Sequence, residues 1–273
     1  MIYPWLIWFF LILLFLSVGS FLNVVIHRLP LMLNAEWTAD CYAGLNLPPK
    51  KTTKLSLAWP GSHCPACKKP LKIWHNIPLL SYLALRGHCA YCNTKISLRY
   101  PCVEITCLIL SLFAVWFFGW CWSLCLILSF IWILICLFFI DLQHQLLPDV
   151  LSLGLLWLGL LINTQNIFTP LSIAVFSAAG AYLSLWLFMR AYLLIRGKVG
   201  MGHGDFKLFA AFGAWFGWSA APLILLVSSI SGILIGFIYL KATRQSYQTP
   251  IPFGPFLCIA GIITLFYRFY GAI

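Results

Sequence analysis

Long apolar runs separated by short polar connections make up most of the chain. They lie at about 2–26, 103–120, 121–140, 150–162, 171–195, 206–218, 221–240 and 253–270. Most approach the roughly 20 residues that carry an α-helix across a bilayer. The pattern therefore predicts an all-α polytopic membrane protein, a bundle of about eight transmembrane helices. The runs at 150–162 and 206–218 are short against the usual span of about 17–25 residues, which leaves a tilted, half-buried or re-entrant course open to them. No internal repeat or low-complexity tract stands out. Ser17-Val18-Gly19 imitates a signal-peptide cleavage site. However, no basic segment precedes it, and the apolar run exceeds the roughly 7–15 residues of a signal core, so the first run reads as an uncleaved span.

One long polar segment interrupts this pattern, at 28–101. It holds ten of the seventeen Lys and Arg residues and only Glu36 and Asp40 on the acidic side. By the positive-inside rule it faces the cytoplasm. If all eight runs cross, the N-terminus is periplasmic and the connections at 141–149, 190–207 and 241–252 return to the cytoplasmic side. Arg190, Arg196, Lys198, Lys207, Lys241 and Arg244 fall in these connections, and Arg268 alone lies at the opposite side. The expected organisation is a first transmembrane span at 1–27, a cytoplasmic Cys-rich loop at 28–101 and a membrane-embedded domain at 102–273.

Composition removes the soluble alternatives. Hydrophobic residues make up 62% of the chain and charged residues 8%, against about 25% charged in soluble domains. The mean hydropathy is +0.95. A net charge of +11 then reads as a topology signal and a contact with membrane lipid, with no nucleic-acid partner.

Against this background the few acids stand out, because a carboxylate inside a bilayer costs about 2.5–3.5 kcal/mol on insertion scales. The predicted topology brings Asp141 and Asp205 to the same membrane side, and paired carboxylates permit aspartyl chemistry, one taking a proton from water while the other polarises a carbonyl. Other roles stay open. Asp149 follows Pro148 and suits a helix N-cap, and Asp205 equally suits capping of the helix that starts at Phe206. Asp141 ends an apolar run, where the helix dipole disfavours negative charge, so a structural role explains it less well. Pairing Asp141 with Asp149 along one continuous helix would set them about 12 Å apart. Gly200, Gly202 and Gly204 in "GMGHGDFKL" allow a sharp bend and close approach of an extended peptide beside Asp205.

The polar segment carries "HCPACKKPLKIWHNIPLLSYLALRGHCAYC". Cys64, Cys67, Cys89 and Cys92 form two Cys-x-x-Cys knuckles, which read as a tetrathiolate zinc site able to fold a small loop without an apolar core. A reducing cytoplasm disfavours disulfides. His63 and His88 precede knuckle cysteines but read as solvated. The other seven cysteines read as small hydrophobes.

Taken in order, "GSFLNVVIHRLP", "CPAC", "NIPLLSYLALRGHCAYC", "ISLRYPCVE", "IDLQHQLLPD", "GMGHGDFKL" and "PFGPFL" resemble the type IV prepilin peptidases, the bifunctional leader peptidases and N-methyltransferases among the GxGD-type aspartic proteases. The likeness covers nearly the whole chain. It implies that Asp141 and Asp205 are catalytic, with Asp149, Gly202, Gly204 and Lys207 in support. It implies cleavage of the basic leader of type IV prepilins or type II secretion pseudopilins just after a glycine, at the bacterial inner membrane. Methylation of the new N-terminus with S-adenosylmethionine would follow. Gly87, Arg99 and Glu104 fall in the loop motifs and are candidate contacts for that cofactor, although capping a helix N-terminus is equally open to Glu104. No Gly-rich Rossmann turn is present. Two alternatives remain beside the bifunctional enzyme: a peptidase with a purely structural Cys loop, and a non-enzymatic zinc-bearing scaffold.

Overall fold

The computed structural model describes residues 4–48, 55–198, 200–243 and 251–270. Lys50, Lys51, Lys54 and Arg244, counted above among the basic connections, lie outside the described residues. Among the described residues each of the eight apolar runs carries an α-helix, and a short further helix lies in the Cys-rich loop. In chain order they are α1 (Pro4–Gly44), α2 (Leu80–Ala84), α3 (Arg99–Phe118), α4 (Leu124–His144), α5 (Asp149–Ile162), α6 (Leu171–Arg196), α7 (His203–Phe216), α8 (Ala221–Thr243) and α9 (Gly254–Tyr270). Among the described residues there is no strand, only two isolated bridges, His63 with Pro70 and His88 with Lys95. The protein is a polytopic all-α membrane protein.

Among the described residues five helices, α1, α3, α4, α6 and α8, are long and apolar enough to cross a membrane. The other three that follow apolar runs are short. α5 and α7 have 14 residues and α9 has 17. At about 1.5 Å per residue they reach about 21 and 26 Å, less than the roughly 30 Å of a hydrocarbon core. α1 departs from the apolar pattern in the other direction. It continues through Arg28 and Pro30 to Gly44, well into the polar segment.

The chain divides into two compact units, residues 1–136 and 137–273, and the division falls within α4. In the first unit α1 packs on α3, close enough that a Cβ on Gly19 would lie 2.9 Å from the Glu104 Cα. Asn23 Nδ2 donates to the Tyr100 carbonyl at 3.0 Å one turn further along the same seam. Buried Arg28 turns its guanidinium into the loop and donates to the carbonyls of Ser56, Leu57 and Pro60 at 2.9, 3.2 and 2.6 Å. These bonds organise the stretch leading to the first knuckle. Arg28 is thus a structural residue as well as a basic one.

The second unit is built around α7. Eleven of its residues are buried, including Phe206, Phe209, Phe212, Trp215 and Phe216, and it packs against α5, α6, α8 and α9. Small residues permit this. A Cβ on Gly213 would lie 2.6 Å from the Ser177 carbonyl oxygen on α6, whose buried residues there are Ala174, Ser177, Ala178 and Ala181. A helix ending among apolar groups leaves carbonyls that cost several kcal/mol each if unsatisfied. Asn163 Nδ2 donates to the carbonyls of Ala214 and Trp215 at 2.7 and 2.8 Å, and Arg268 donates to that of Phe216 at 3.0 Å. Arg268, the one basic residue against the topological pattern, is therefore held at a helix C-terminus, where the dipole favours a cation.

The seam predicts a contrast between two glycines. Gly213→Ala would press a methyl against α6 backbone and is expected to destabilise the protein by about 1–3 kcal/mol. Gly154→Ala on α5 meets nothing within 4 Å and is expected to be neutral or to gain up to about 1 kcal/mol in helix propensity. Thermal unfolding in detergent, followed by circular dichroism, distinguishes the two.

Candidate functional site

Asp141 and Asp205 are both buried, 5% and 8% exposed, in a unit of otherwise apolar helices. They are close enough for their charges to act on one another. Each lies against a helix start. Gly254, first residue of α9, approaches the Asp141 carboxylate so closely that a Cβ there would lie 2.6 Å from Oδ2, and Gly202, N-cap of α7, lies beside the carboxylate of Asp205. Asp141 thus ends one helix but faces the N-terminus of another, where a negative charge is favoured. Asp205 is the third residue of α7, in the position from which an acid reaches back to the N-cap amide. The helix starts at His203 rather than Phe206, so Asp205 lies inside the first turn.

Leu147, in the connection between α4 and α5, packs against both supports. A Cβ on Gly204 would lie 2.8 Å from the Leu147 Cβ. A Cβ on Gly254 would lie 3.1 Å from Leu147 Cδ2 and 2.6 Å from Asp141 Oδ2. Buried Cys258, one turn beyond Gly254 on α9, also lies within electrostatic reach of both carboxylates. Leu147, Gly254 and Cys258 were not picked out from the sequence as site residues. Leu147 and Gly254 do fall in two of the motifs quoted above, "IDLQHQLLPD" and "PFGPFL".

Asp149 is separate from this pair. Its side chain is 57% exposed and takes Lys207 Nζ in both oxygens, at 2.6 and 2.7 Å. It does not cap α5: Pro148 occupies the N-cap position, and Asp149 is the first helical residue. Nor does one helix run through Asp141 and Asp149, because α4 ends at His144 and Gln145 turns the chain with a φ of 50°. Lys207 lies two residues beyond Asp205 on α7 and ties the starts of α5 and α7 together. His144 and His203 lie near the pair in sequence, and His203 packs edge-on to Phe206 at 5.5 Å between centroids.

In the Cys-rich loop, Cys64, Cys67, Cys89 and Cys92 converge, their four sulfurs within 4.8 Å of one another. The two knuckles have the same local fold 25 residues apart. The Cys64 amide donates to the Lys69 carbonyl and the Cys89 amide to that of Thr94, and Lys68 and Asn93 adopt φ of 57° and 55° at equivalent turns. Bonds of about 2.3 Å to a tetrahedral zinc set sulfurs about 3.8 Å apart, and Cys64 Sγ and Cys92 Sγ are separated by 3.8 Å. The Cys92 thiol is lowered to about 6 by the Thr94 hydroxyl and amide. That of Cys67 is pushed up to about 11, because desolvation and the neighbouring sulfurs outweigh the Lys69 amide. Four such sulfurs cannot all ionise without a cation among them, so the donor set fits a metal ion. His63 and His88 stay outside the cluster, with Nδ1 against the carbonyls of Gly61 and Arg86.

Gly87, Arg99 and Glu104 lie around α2 and the start of α3. Gly87 has a φ of 70°, and a Cβ there would meet the Tyr82 hydroxyl at 2.8 Å, so only glycine serves in this turn. Glu104 is buried and accepts the Leu79 amide at 2.8 Å. It thereby serves the N-terminal end of α2, not of its own helix. The Arg99 guanidinium stacks over Tyr100 at 4.8 Å.

Comparison with known proteins agrees with this arrangement. The Bacterial Peptidase A24 N-terminal domain matches residues 13–118, and the type IV leader peptidase family matches residues 128–237. Similar proteins bear the name prepilin leader peptidase/N-methyltransferase. That of Legionella pneumophila is 55% identical over 266 residues, covering 97% of this chain and 93% of its own. That of Pseudomonas aeruginosa is 49% identical over 93% of this chain and 88% of its own, and that of Neisseria gonorrhoeae 45% over 91% and 86%. The chain belongs to the type IV leader peptidase family. No solved structure matches it.

The packing of Leu147 separates the two glycines of this leader peptidase that precede Asp205. Gly204→Ala forces a methyl onto Leu147 and displaces the turn carrying Asp205, and a shift of about 1 Å costs about 100-fold in rate. Gly202→Ala places its methyl 3.6 Å from Asp205 Oδ2, an ordinary contact, and is expected to retain most activity. Initial rates of leader cleavage by the two variants provide the check.

Proposed function

We propose that this prepilin leader peptidase and N-methyltransferase uses Asp141 and Asp205 as its catalytic pair. The observation that carries the proposal is the convergence of the two buried carboxylates, each at a helix start and both buttressed through Leu147. A proton shared between neighbouring carboxylates lets one activate water while the other polarises the scissile carbonyl, and the roles exchange as the amine departs. The substrates are type IV prepilins or type II secretion pseudopilins, cut after a glycine where the basic leader meets the apolar helix. The catalytic face is cytoplasmic and the N-terminus periplasmic in a bacterial inner membrane. On this reading residues 102–273 form the peptidase domain, and 28–101, following the span at 1–27, form the zinc-binding and methyltransferase loop. Asp149 and Lys207 hold the starts of α5 and α7 in place, and Gly202 and Gly204 shape the turn before Asp205.

The thiolates of Cys64, Cys67, Cys89 and Cys92 hold zinc as a closed structural site. S-adenosylmethionine, when bound, supplies an electrophilic methyl on a cationic sulfur. Glu104 offers a buried carboxylate suited to that cation. Gly87 shapes the turn that follows α2, and Arg99 completes the candidate set.

Asp141→Asn and Asp205→Asn are each expected to abolish cleavage of a prepilin substrate at unchanged protein abundance. Asp149→Asn keeps measurable activity, because its carboxylate is exposed and engaged only with Lys207. Normal processing by Asp141→Asn with none by Asp149→Asn would overturn the assignment.

Purified, reduced protein is expected to contain about one equivalent of zinc, as a single tetrathiolate site requires. Cys64→Ser and Cys92→Ser should each lower it. Metal analysis by mass spectrometry reads the result, and metal-free wild-type protein would remove zinc while leaving the aspartyl chemistry intact.

A further inference from the structure

The Cys-rich loop carries a second feature that neither cleavage nor the thiolate cluster uses. Between the knuckles run a 3₁₀ turn, Ile73–Asn76, and α2, which pack on one another. No residue of either is buried. Their large apolar side chains are instead turned outward: Ile73 is 87% exposed, Trp74 61%, Leu80 64% and Leu83 70%. A five-residue helix without a buried face has little to hold it, since isolated short helices are marginal in water. Contiguous exposed apolar groups of this size mark a contact surface.

The surrounding charge indicates what kind of surface it meets. Lys72 Nζ lies over the Trp74 ring at 5.3 Å, Trp74 packs edge-on to His75, His75 to Tyr91, and Lys69 Nζ lies over Tyr91 at 5.6 Å. The aromatic row is thus bounded by ammonium groups at both ends. Every Asp, Glu, Lys or Arg described between 55 and 98 is basic: Lys68, Lys69, Lys72, Arg86 and Lys95. A basic leader peptide would be repelled here, whereas an anionic surface would be attracted. The loop is also bounded in sequence by α1 and α3, both of which are long and apolar enough to cross a membrane, so a bilayer surface lies within reach. Trp and Lys side by side above apolar groups suit the headgroup layer, where aromatic rings settle at the interface and ammonium groups meet lipid phosphates.

We propose that Ile73, Trp74, Leu80 and Leu83, flanked by Lys69 and Lys72, dock the Cys-rich loop onto the anionic headgroup surface of the membrane that α1 and α3 enter. This rests on the reading of those two helices as spans and is independent of which residues are catalytic. The intact protein is reconstituted in nanodiscs of phosphatidylcholine alone or mixed with phosphatidylglycerol, and hydrogen exchange of the peptide covering 72–84 is followed by mass spectrometry. Exchange is expected to be slower in the anionic discs. Lys69→Gln and Lys72→Gln should each reduce that protection about fivefold, and Ile73→Ser with Trp74→Ser should remove it. The metal content of each variant reports whether the loop remains folded. Equal exchange in both lipids would overturn the proposal. So would protection that appears only on adding a prepilin peptide, which would assign the patch to substrate, or that varies with the number of protein copies per disc, which would assign it to a second copy.

Discussion

Two carboxylates buried among apolar helices require a compensating field that brings no competing charge, and helix N-termini supply it. Asp141 lies against the first residue of α9, and Asp205 sits in the first turn of its own helix. A lysine in either place would lock its partner as a permanent ion pair. A bare apolar wall would leave the charge uncompensated at a cost of several kcal/mol. Backbone amides at helix starts stabilise a carboxylate and still leave its free oxygen available to water or a carbonyl. The requirement reaches outward from there. α9 must begin beside the end of α4, α7 must begin opposite both, and Leu147 fills the space that Gly204 and Gly254 leave between them.

That geometry explains why the centre of the second unit is so rich in small residues. α7 is too short to end in a polar layer on its own terms, so Asn163 and Arg268 supply donors to its last carbonyls. Gly213 lets its backbone approach that of α6. A helix fixed at its far end by side-chain donors and along its length by close packing holds its first turn, and with it Asp205, in one place. Placing the aspartate on a packed helix rather than on a free loop gives the proposed catalytic pair the positional precision that such chemistry needs.

The Cys-rich loop reaches order by a different route. It has almost no apolar interior, and the side chains that would form one, Ile73, Trp74, Leu80 and Leu83, are turned outward. Order comes instead from four converging sulfurs, from two knuckles with matching backbone bonds, and from Arg28, which reaches out of α1 to gather the carbonyls of Ser56, Leu57, Pro60 and Gly61. Glu104 adds a bond from α3 to the residue before α2. The loop is thus tied at both ends to the helices that bound it.

Much of this was legible in the order of residues. Apolar length and charge asymmetry announced a helical membrane protein, because a bilayer imposes both on any chain that crosses it. Two Cys-x-x-Cys pairs announced a cluster of four sulfurs, since the spacing within a knuckle is local. Asp141 and Asp205 stood out because acids are scarce in such a chain. Local pattern did not reveal that α1 runs on to Gly44, that Asp149 leaves its N-cap position to Pro148 and pairs with Lys207, or that Arg268 serves a helix C-terminus rather than topology. Nor did it single out Gly254, 113 residues beyond Asp141 in the chain, as the residue that lies against that carboxylate. Composition and periodicity record how each segment meets its solvent. Which helix start faces which carboxylate depends on how closely helices distant in sequence approach, and only the packed tertiary structure decides that.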